Sequence, residues 1–127
     1  ALTTAATGGE NRWEADSFII ATGGLLSGGI STAPGKAWET IFGLPLDMPE
    51  QTEEWSSPAI FGKSLFASMG VKVNEELKPV DKDGNIILNN VRFVGRTVGG
   101  YDFAAEKSGL GVALATGWHA GSLAGKE

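Results

Sequence analysis

Cysteine is absent from the 127 residues. That excludes disulfides, thiolate zinc sites, cysteine-ligated iron-sulfur clusters and a cysteine nucleophile from this polypeptide. Histidine occurs once, at His119, so a histidine metal cluster or a Ser-His-Asp relay has little to build on, and no metal site is expected. Positive charge is scarce as well. Ten Lys plus Arg against fifteen Asp plus Glu leave a formal net charge of −5, which disfavours general attraction to nucleic acid or anionic lipid, and no nucleic-acid partner is expected. No apolar run reaches the roughly 18 to 20 residues of a membrane-crossing helix, and no basic-then-apolar leader opens the chain. A location at most peripheral to a membrane follows as the expectation.

What is abundant is glycine, at 19 of 127 residues, roughly twice average usage. Hydrophobic residues make up 42% of the chain, with four Trp and six Phe. No Gly-X-Y period runs through it, so it is neither disordered nor collagen-like as a whole. The length suits about one domain. Glycine in such a chain marks backbone that must approach something closely. The sequence opens at Ala1, without Met and directly in strand-like residues, so a piece of a longer protein is expected.

Leu2 to Ala6 and the residues around Asn11 to Ala15 read as two short strands about the Gly8-Gly9 turn. Ser17-Phe18-Ile19-Ile20-Ala21 is apolar without alternation and ends at Thr22-Gly23-Gly24, the pattern of a strand buried on both faces. Residues 25 to 60 carry four prolines and several glycines and read as loops around one or two strands, with extended sequence at Ala37 to Phe42. Asp47, Glu50, Glu53 and Glu54 form an acidic stretch, read first as a solvated loop. Phe61 to Met69 suits a short helix capped by Gly70. Val71-Lys72-Val73 alternates as a strand, and the Asp81 to Asn85 turn leads into a strand at Ile86-Ile87-Leu88.

The last third is the most informative. Val91 to Val94 is a strand ending on Gly95, and after the Gly99-Gly100-Tyr101-Asp102 loop a helix is expected from about Ser108 to Leu123. Gly109, Ala113, Gly117, Gly121 and Gly125 recur every four residues and form one narrow stripe beside an apolar one at Leu110, Leu114 and Trp118. Each interior glycine costs a helix about 0.5 to 1 kcal/mol relative to alanine, so close packing on a sheet is the first explanation of the stripe. At the helix start, Ser108 is a plausible cap. Gly109 and Gly111 leave the first-turn amides unshielded beyond the end of a strand, a place that suits an anion or an electron-rich ring edge. His119 falls about 15 Å into this helix at ~1.5 Å per residue and reads as a surface or hydrogen-bonded side chain rather than a catalytic base.

Two stretches carry a resemblance. Asp16 to Gly24 is similar to the late alanine-threonine-glycine motif of two-dinucleotide-binding flavoproteins, and Asn90 to Gly95 with Gly109 to Gly121 resembles their C-terminal flavin motif. Ser27-Gly28-Gly29, Phe42 to Leu46 and Val98 to Asp102 further resemble the C-terminal part of the B-subunit family of anaerobic glycerol-3-phosphate dehydrogenases. The resemblance covers residues 12 to 124.

It implies an α/β chain, α+β if taken as an isolated fragment. Residues 1–24 would be a hairpin and a strand returning to a Rossmann-like flavin-binding domain, residues 25–88 part of a β-rich cap or substrate domain, and residues 89–127 the closing strand, loop and helix. The implied cofactor is FAD or FMN, held by Thr22, Gly23, Gly24, Gly95, Arg96, Gly109, Leu110, Gly111 and Val112. Tyr101, Asp102 and Lys107 would overhang the ring toward substrate. No catalytic residue is assigned. The implied activity is oxidation of glycerol 3-phosphate to dihydroxyacetone phosphate, with electrons passing to quinone. The implied partners are the N-terminal remainder of the same protein, a catalytic flavoprotein subunit and an iron-sulfur membrane-anchor subunit. The implied location is cytoplasmic, with the inner face of the membrane reached through those subunits. Two departures stand out. Arg96 and Thr97 replace the acidic residue that many relatives carry after the glycine, leaving Arg96 to meet a phosphate or solvent. No GxGxxG occurs, although that loop grips the diphosphate in this superfamily, so the isolated chain is expected to bind flavin weakly or not at all and to be inactive. A fumarate-reductase-like or succinate-dehydrogenase-like subunit is the enzyme alternative. A non-catalytic interaction module, docking through residues 47 to 54 and exposed tryptophans, is the other.

Overall fold

Extended residues on both sides of a Thr7-Gly8 turn form the first hairpin: β1 (Leu2–Ala6) pairs antiparallel with β2 (Gly9–Trp13), Leu2 opposite Trp13. The computed structural model describes residues 1–49, 51–60 and 62–126. Apart from Leu2, the whole hairpin is exposed, and Trp13 Nε1 donates across it to Thr4 Oγ1 at 3.0 Å.

β3 (Phe18–Ile20) covers the apolar run. Burial on both faces does not hold: Ile20 is buried but Ile19 is 41% exposed, because no element among the described residues covers that side. A single 3-10 turn, Leu25–Ser27, leads to β4 (Ile30–Ala33) and β5 (Lys36–Glu39), an antiparallel hairpin about Pro34-Gly35. The strand expected through Phe42 stops at Glu39, whose buried carboxylate accepts the Ile41 and Phe42 amides at 3.0 and 2.8 Å and folds the chain back. β6 (Leu46–Asp47) pairs antiparallel with β7 (Gly70–Val71). Asp47, Glu53 and Glu54 are exposed, and Glu50 lies outside the described residues.

The helix expected over residues 61–69 is instead a 3-10 segment, Leu65–Ser68, with Phe61 outside the described residues. Gly70 is no cap. It is buried in β7, where a Cβ would collide with the backbone of Val98 and Gly99, and that close crossing explains the glycine. The strand expected at residues 86–88 is reduced to an isolated bridge from Ile86 to Val80; Ile86 and Ile87 are exposed. β8 (Val91–Phe93) runs parallel to β3, with Phe18 opposite Val91 and Ile20 opposite Phe93.

Asp102 caps a short unexpected helix, α1 (Phe103–Glu106), by accepting the Ala104 and Ala105 amides at 3.1 and 3.0 Å. α2 (Gly109–Ala124) then closes the chain. Ser108 does not cap it through its side chain, since the hydroxyl donates to Glu106 Oε2 at 3.2 Å.

One apolar cluster joins Ile20, Val91 and Phe93 to Leu44, Val71 and Val98, so residues from the middle of the chain share a core with the parallel strands. Burying each such side chain is worth about 1.5 to 3 kcal/mol. A second cluster of Leu77, Val94 and Ala120 seats α2. Tight packing of the glycine stripe does not occur. Nothing lies within 4 Å of a Cβ built at Gly117 or Gly121, and the neighbouring Leu110, Leu114 and Trp118 are 84%, 76% and 76% exposed. The opposite face, at Val112, Thr116 and Ala120, is the one turned inward. Among the described residues, no helix is long and apolar enough to cross a membrane, and no cluster of acidic residues and histidine forms a metal-ion site.

Candidate functional site

The ends of β3 and β8 lie side by side because the strands are parallel and in register. The Val94 amide donates to Ile20 O at 3.0 Å, and beyond it Thr97 Oγ1 donates to Gly23 O at 3.0 Å. Gly95 turns the chain with φ +66°, a conformation that costs an L side chain about 1 to 2 kcal/mol. Its amide donates to Thr116 Oγ1 at 2.8 Å, and that hydroxyl donates in turn to Val112 O at 2.6 Å. One threonine thus ties the helix to the turn after β8. A Cβ at Gly95 would sit 3.7 Å from Ala113 Cβ, so a methyl there would just touch the helix.

Between this turn and the start of α2 lies a cavity of about 430 Å³, within the range of small-molecule sites. Leu25 and Leu26 form one side, Phe66 and Phe103 two aromatic walls, and Gly109 and Ala113 the helical floor. The lining is almost wholly apolar, with the Arg96 guanidinium as its charged group. The Val112 amide is the first in α2 to close onto a carbonyl, that of Ser108 at 2.9 Å. The amides of Gly109, Leu110 and Gly111 before it donate to no acceptor among the described residues. A flat apolar ring fits the slot, and negative charge developing on its edge would face free N–H donors, the positive end of a 16-residue helix and a fixed cation.

Gly24, Arg96, Gly109 and Leu110 line this cavity. Thr22, Gly23, Gly95, Gly111 and Val112 stand behind or beside it. Thr22 Oγ1 is buried and has no hydrogen-bond partner among the described residues; a Cβ on Gly29 would come within 2.8 Å of it. Val112 is half-buried and Gly111 exposed. Arg96 is half-buried at the edge of the slot: its Nη2 donates to Ala67 O at 2.8 Å, and its Cζ lies 4.1 Å from the Phe103 ring centroid. Tyr101 OH donates to Gly95 O at 3.4 Å. Asp102 is committed to capping α1, and Lys107 is the exposed, left-handed residue that ends it. An open groove beside α1 brings Lys63 and Ser64 near Asp102 and Glu106. His119 lies away from the slot, with Nε2 3.0 Å from Glu75 O.

Phe66 and Phe103 carry no signal that sequence reading used. For the helix that carries Phe103 a partial one exists: Asp is a preferred cap residue, and Glu106 Oε1 accepts the Asp102 amide at 3.0 Å, one position later than the usual capping-box spacing. Phe66 is held at the slot by long-range bonds, its own amide to Trp55 O at 2.9 Å and Arg96 Nη2 to the adjoining Ala67 O at 2.8 Å, which is tertiary information.

The FAD binding domain family model matches residues 1–112. The chain is 40% identical over 110 residues to a Halobacterium salinarum protein named as the B-subunit of a probable anaerobic glycerol-3-phosphate dehydrogenase, covering 87% of this chain and 26% of that protein. Proteins named as the B-subunit of anaerobic glycerol-3-phosphate dehydrogenase are 33% identical in Aliivibrio fischeri, over 84% of this chain and 24% of theirs, and 30% identical in Pectobacterium carotovorum, over 86% and 26%. The chain spans about a quarter of the length of these curated relatives. No solved structure matches.

Proposed function

The chain belongs to the FAD binding domain family, and from that premise we propose that it forms the ring-facing portion of a flavin-dependent oxidoreductase subunit that oxidises glycerol 3-phosphate to dihydroxyacetone phosphate. Electrons would pass to quinone through partner subunits, a catalytic flavoprotein and an iron-sulfur anchor at the inner face of the membrane. The family supports FAD as the cofactor. The observation that carries the reading is the apolar slot at the open start of α2.

The residues present fit one half of FAD. Phe66 and Phe103 supply flat apolar walls with Leu25 beside them, and Gly109 and Ala113 keep the helical floor low. The flavin, when bound, supplies the two-electron redox chemistry. The chain's contribution is to exclude water with those walls and to present the Gly109, Leu110 and Gly111 amides and the Arg96 charge to the ring's edge. The diphosphate half has no GxGxxG loop in this sequence. We therefore assign residues 1–24 and 89–127 to a Rossmann-like half-domain and residues 25–88 to part of the cap. The remainder of a longer protein would cover the open face of β3 and the exposed side of α2.

A dicarboxylate site of the fumarate-reductase type needs converging arginines, and the geometry disfavours it. Arg12 pairs with Glu14 on the surface at 2.9 Å, Arg92 is buried with a bond to Ser17 Oγ at 2.7 Å, and Arg96 is bound to backbone carbonyls. The test is to express the longer protein that contains this chain and measure bound-flavin absorbance, then the reduction of an artificial acceptor by glycerol 3-phosphate against succinate. Flavin uptake with preference for glycerol 3-phosphate is expected. A colourless folded product would overturn the cofactor reading and favour the interaction module, and preference for succinate would overturn the substrate.

A further inference from the structure

We propose that Arg96 is a positioning residue, a clasp that fixes the spacing of the two aromatic walls of the slot; the proposal rests on the flavin reading above. Three segments meet on this side chain. Its stem crosses Gly24, where a Cβ would lie 2.8 Å from Arg96 Cγ and 3.4 Å from Nε. Nη2 donates to Ala67 O at 2.8 Å and Nη1 to Met69 O at 3.4 Å. The guanidinium carbon Cζ lies over the Phe103 ring, 4.1 Å from its centroid, and 5.7 Å from the Tyr101 ring centroid.

These contacts reach both walls. Ala67 follows Phe66 in the same 3-10 segment, so the bond to its carbonyl holds Phe66 in place. The face of the guanidinium holds Phe103. Ala67 and Met69 are 3% and 1% exposed, and buried carbonyls of this kind require donors. A guanidinium can donate from two nitrogens to two separate carbonyls while its cation sits over an aromatic ring; an ammonium keeps the charge and loses that fork. Among the described residues no carboxylate pairs with Arg96, so its bonding to the walls is not shared with a surface ion pair.

The test uses the longer protein that contains this chain, with FAD affinity measured by quenching of flavin fluorescence and ADP affinity measured as a control for the adenine half. Arg96→Lys and Arg96→Met are each expected to weaken FAD about tenfold, the scale of one charge-assisted hydrogen bond, and to leave ADP unchanged. Phe103→Leu should weaken FAD similarly. Combined with a substitution at Arg96 it should add little, because both remove the same wall. If Arg96→Met fails to fold, Arg96→Lys with Phe103→Leu completes the cycle. FAD binding by Arg96→Lys at wild-type affinity, or additive effects of the two sites, overturns the clasp while the flavin reading stands. A wild-type protein that takes up no FAD overturns both.

Discussion

Asp81 shows how much a single surface side chain organises in a segment without regular structure. Its Oδ1 accepts the amides of Asp83 and Asn85, both at 2.9 Å, and its Oδ2 accepts Asn85 Nδ2 at 3.0 Å. The Asn85 side chain is the main reason its pKa is lowered, followed by the backbone bonds. The turn binds the carboxylate form, so its contribution is full above the ordinary aspartate value and is lost as pH falls through the lowered one. A carboxyl NMR titration should place the Asp81 midpoint below the usual aspartate range, and Asn85→Ala should move it back up. An unmoved midpoint would refute the assignment. This turn was legible because Asp, Gly and Asn make it locally. Gly70 was not: as a residue after an apolar run it reads as a helix cap, and only the crossing of Val98 and Gly99 against it reveals a strand.

Elements are where sequence reading did best, and α2 marks its reach. The strand ending on Gly95 and the glycine-opened helix follow from periodicity and turn chemistry, and both are present. What joins them is Thr116, which periodicity marks merely as one more position on the inward face. Thr116→Val keeps the shape and leaves the Gly95 amide without its acceptor, at a cost of about 1 to 3 kcal/mol. Urea unfolding should show that loss, and Thr116→Ser should restore most of it. Equal stability of the valine variant would mean that the bond contributes nothing to docking the helix. The expected strand at residues 86–88 and the helix at residues 61–69 failed for the converse reason. Both were assigned by local pattern alone: in the fold Ile86 and Ile87 are exposed, and Ala67 and Met69 are buried from a 3-10 turn and the residue after it rather than from an α-helix.

At the scale of the whole molecule, the glycines of α2 pose a contradiction that the proposed longer protein resolves. Gly117 and Gly121 have nothing within 4 Å of a Cβ position, so here they only weaken the helix, by about 0.5 to 1 kcal/mol each relative to alanine. Trp118 stands 76% exposed beside them, and the neighbouring Leu114 is equally open. If further sequence covers this face, the glycines are where its backbone comes close. The sign of one substitution then depends on context. Gly117→Ala with Gly121→Ala should stabilise the 127-residue chain in urea unfolding by about 1 to 2 kcal/mol, twice the single-site glycine cost, and should destabilise the longer protein, where the added methyls meet the covering element. Trp118 fluorescence should shift to the blue in the longer protein, as its ring leaves water. Stabilisation in both contexts, with Trp118 emission unchanged, would mean that the face stays open and that the exposed stripe serves some other partner.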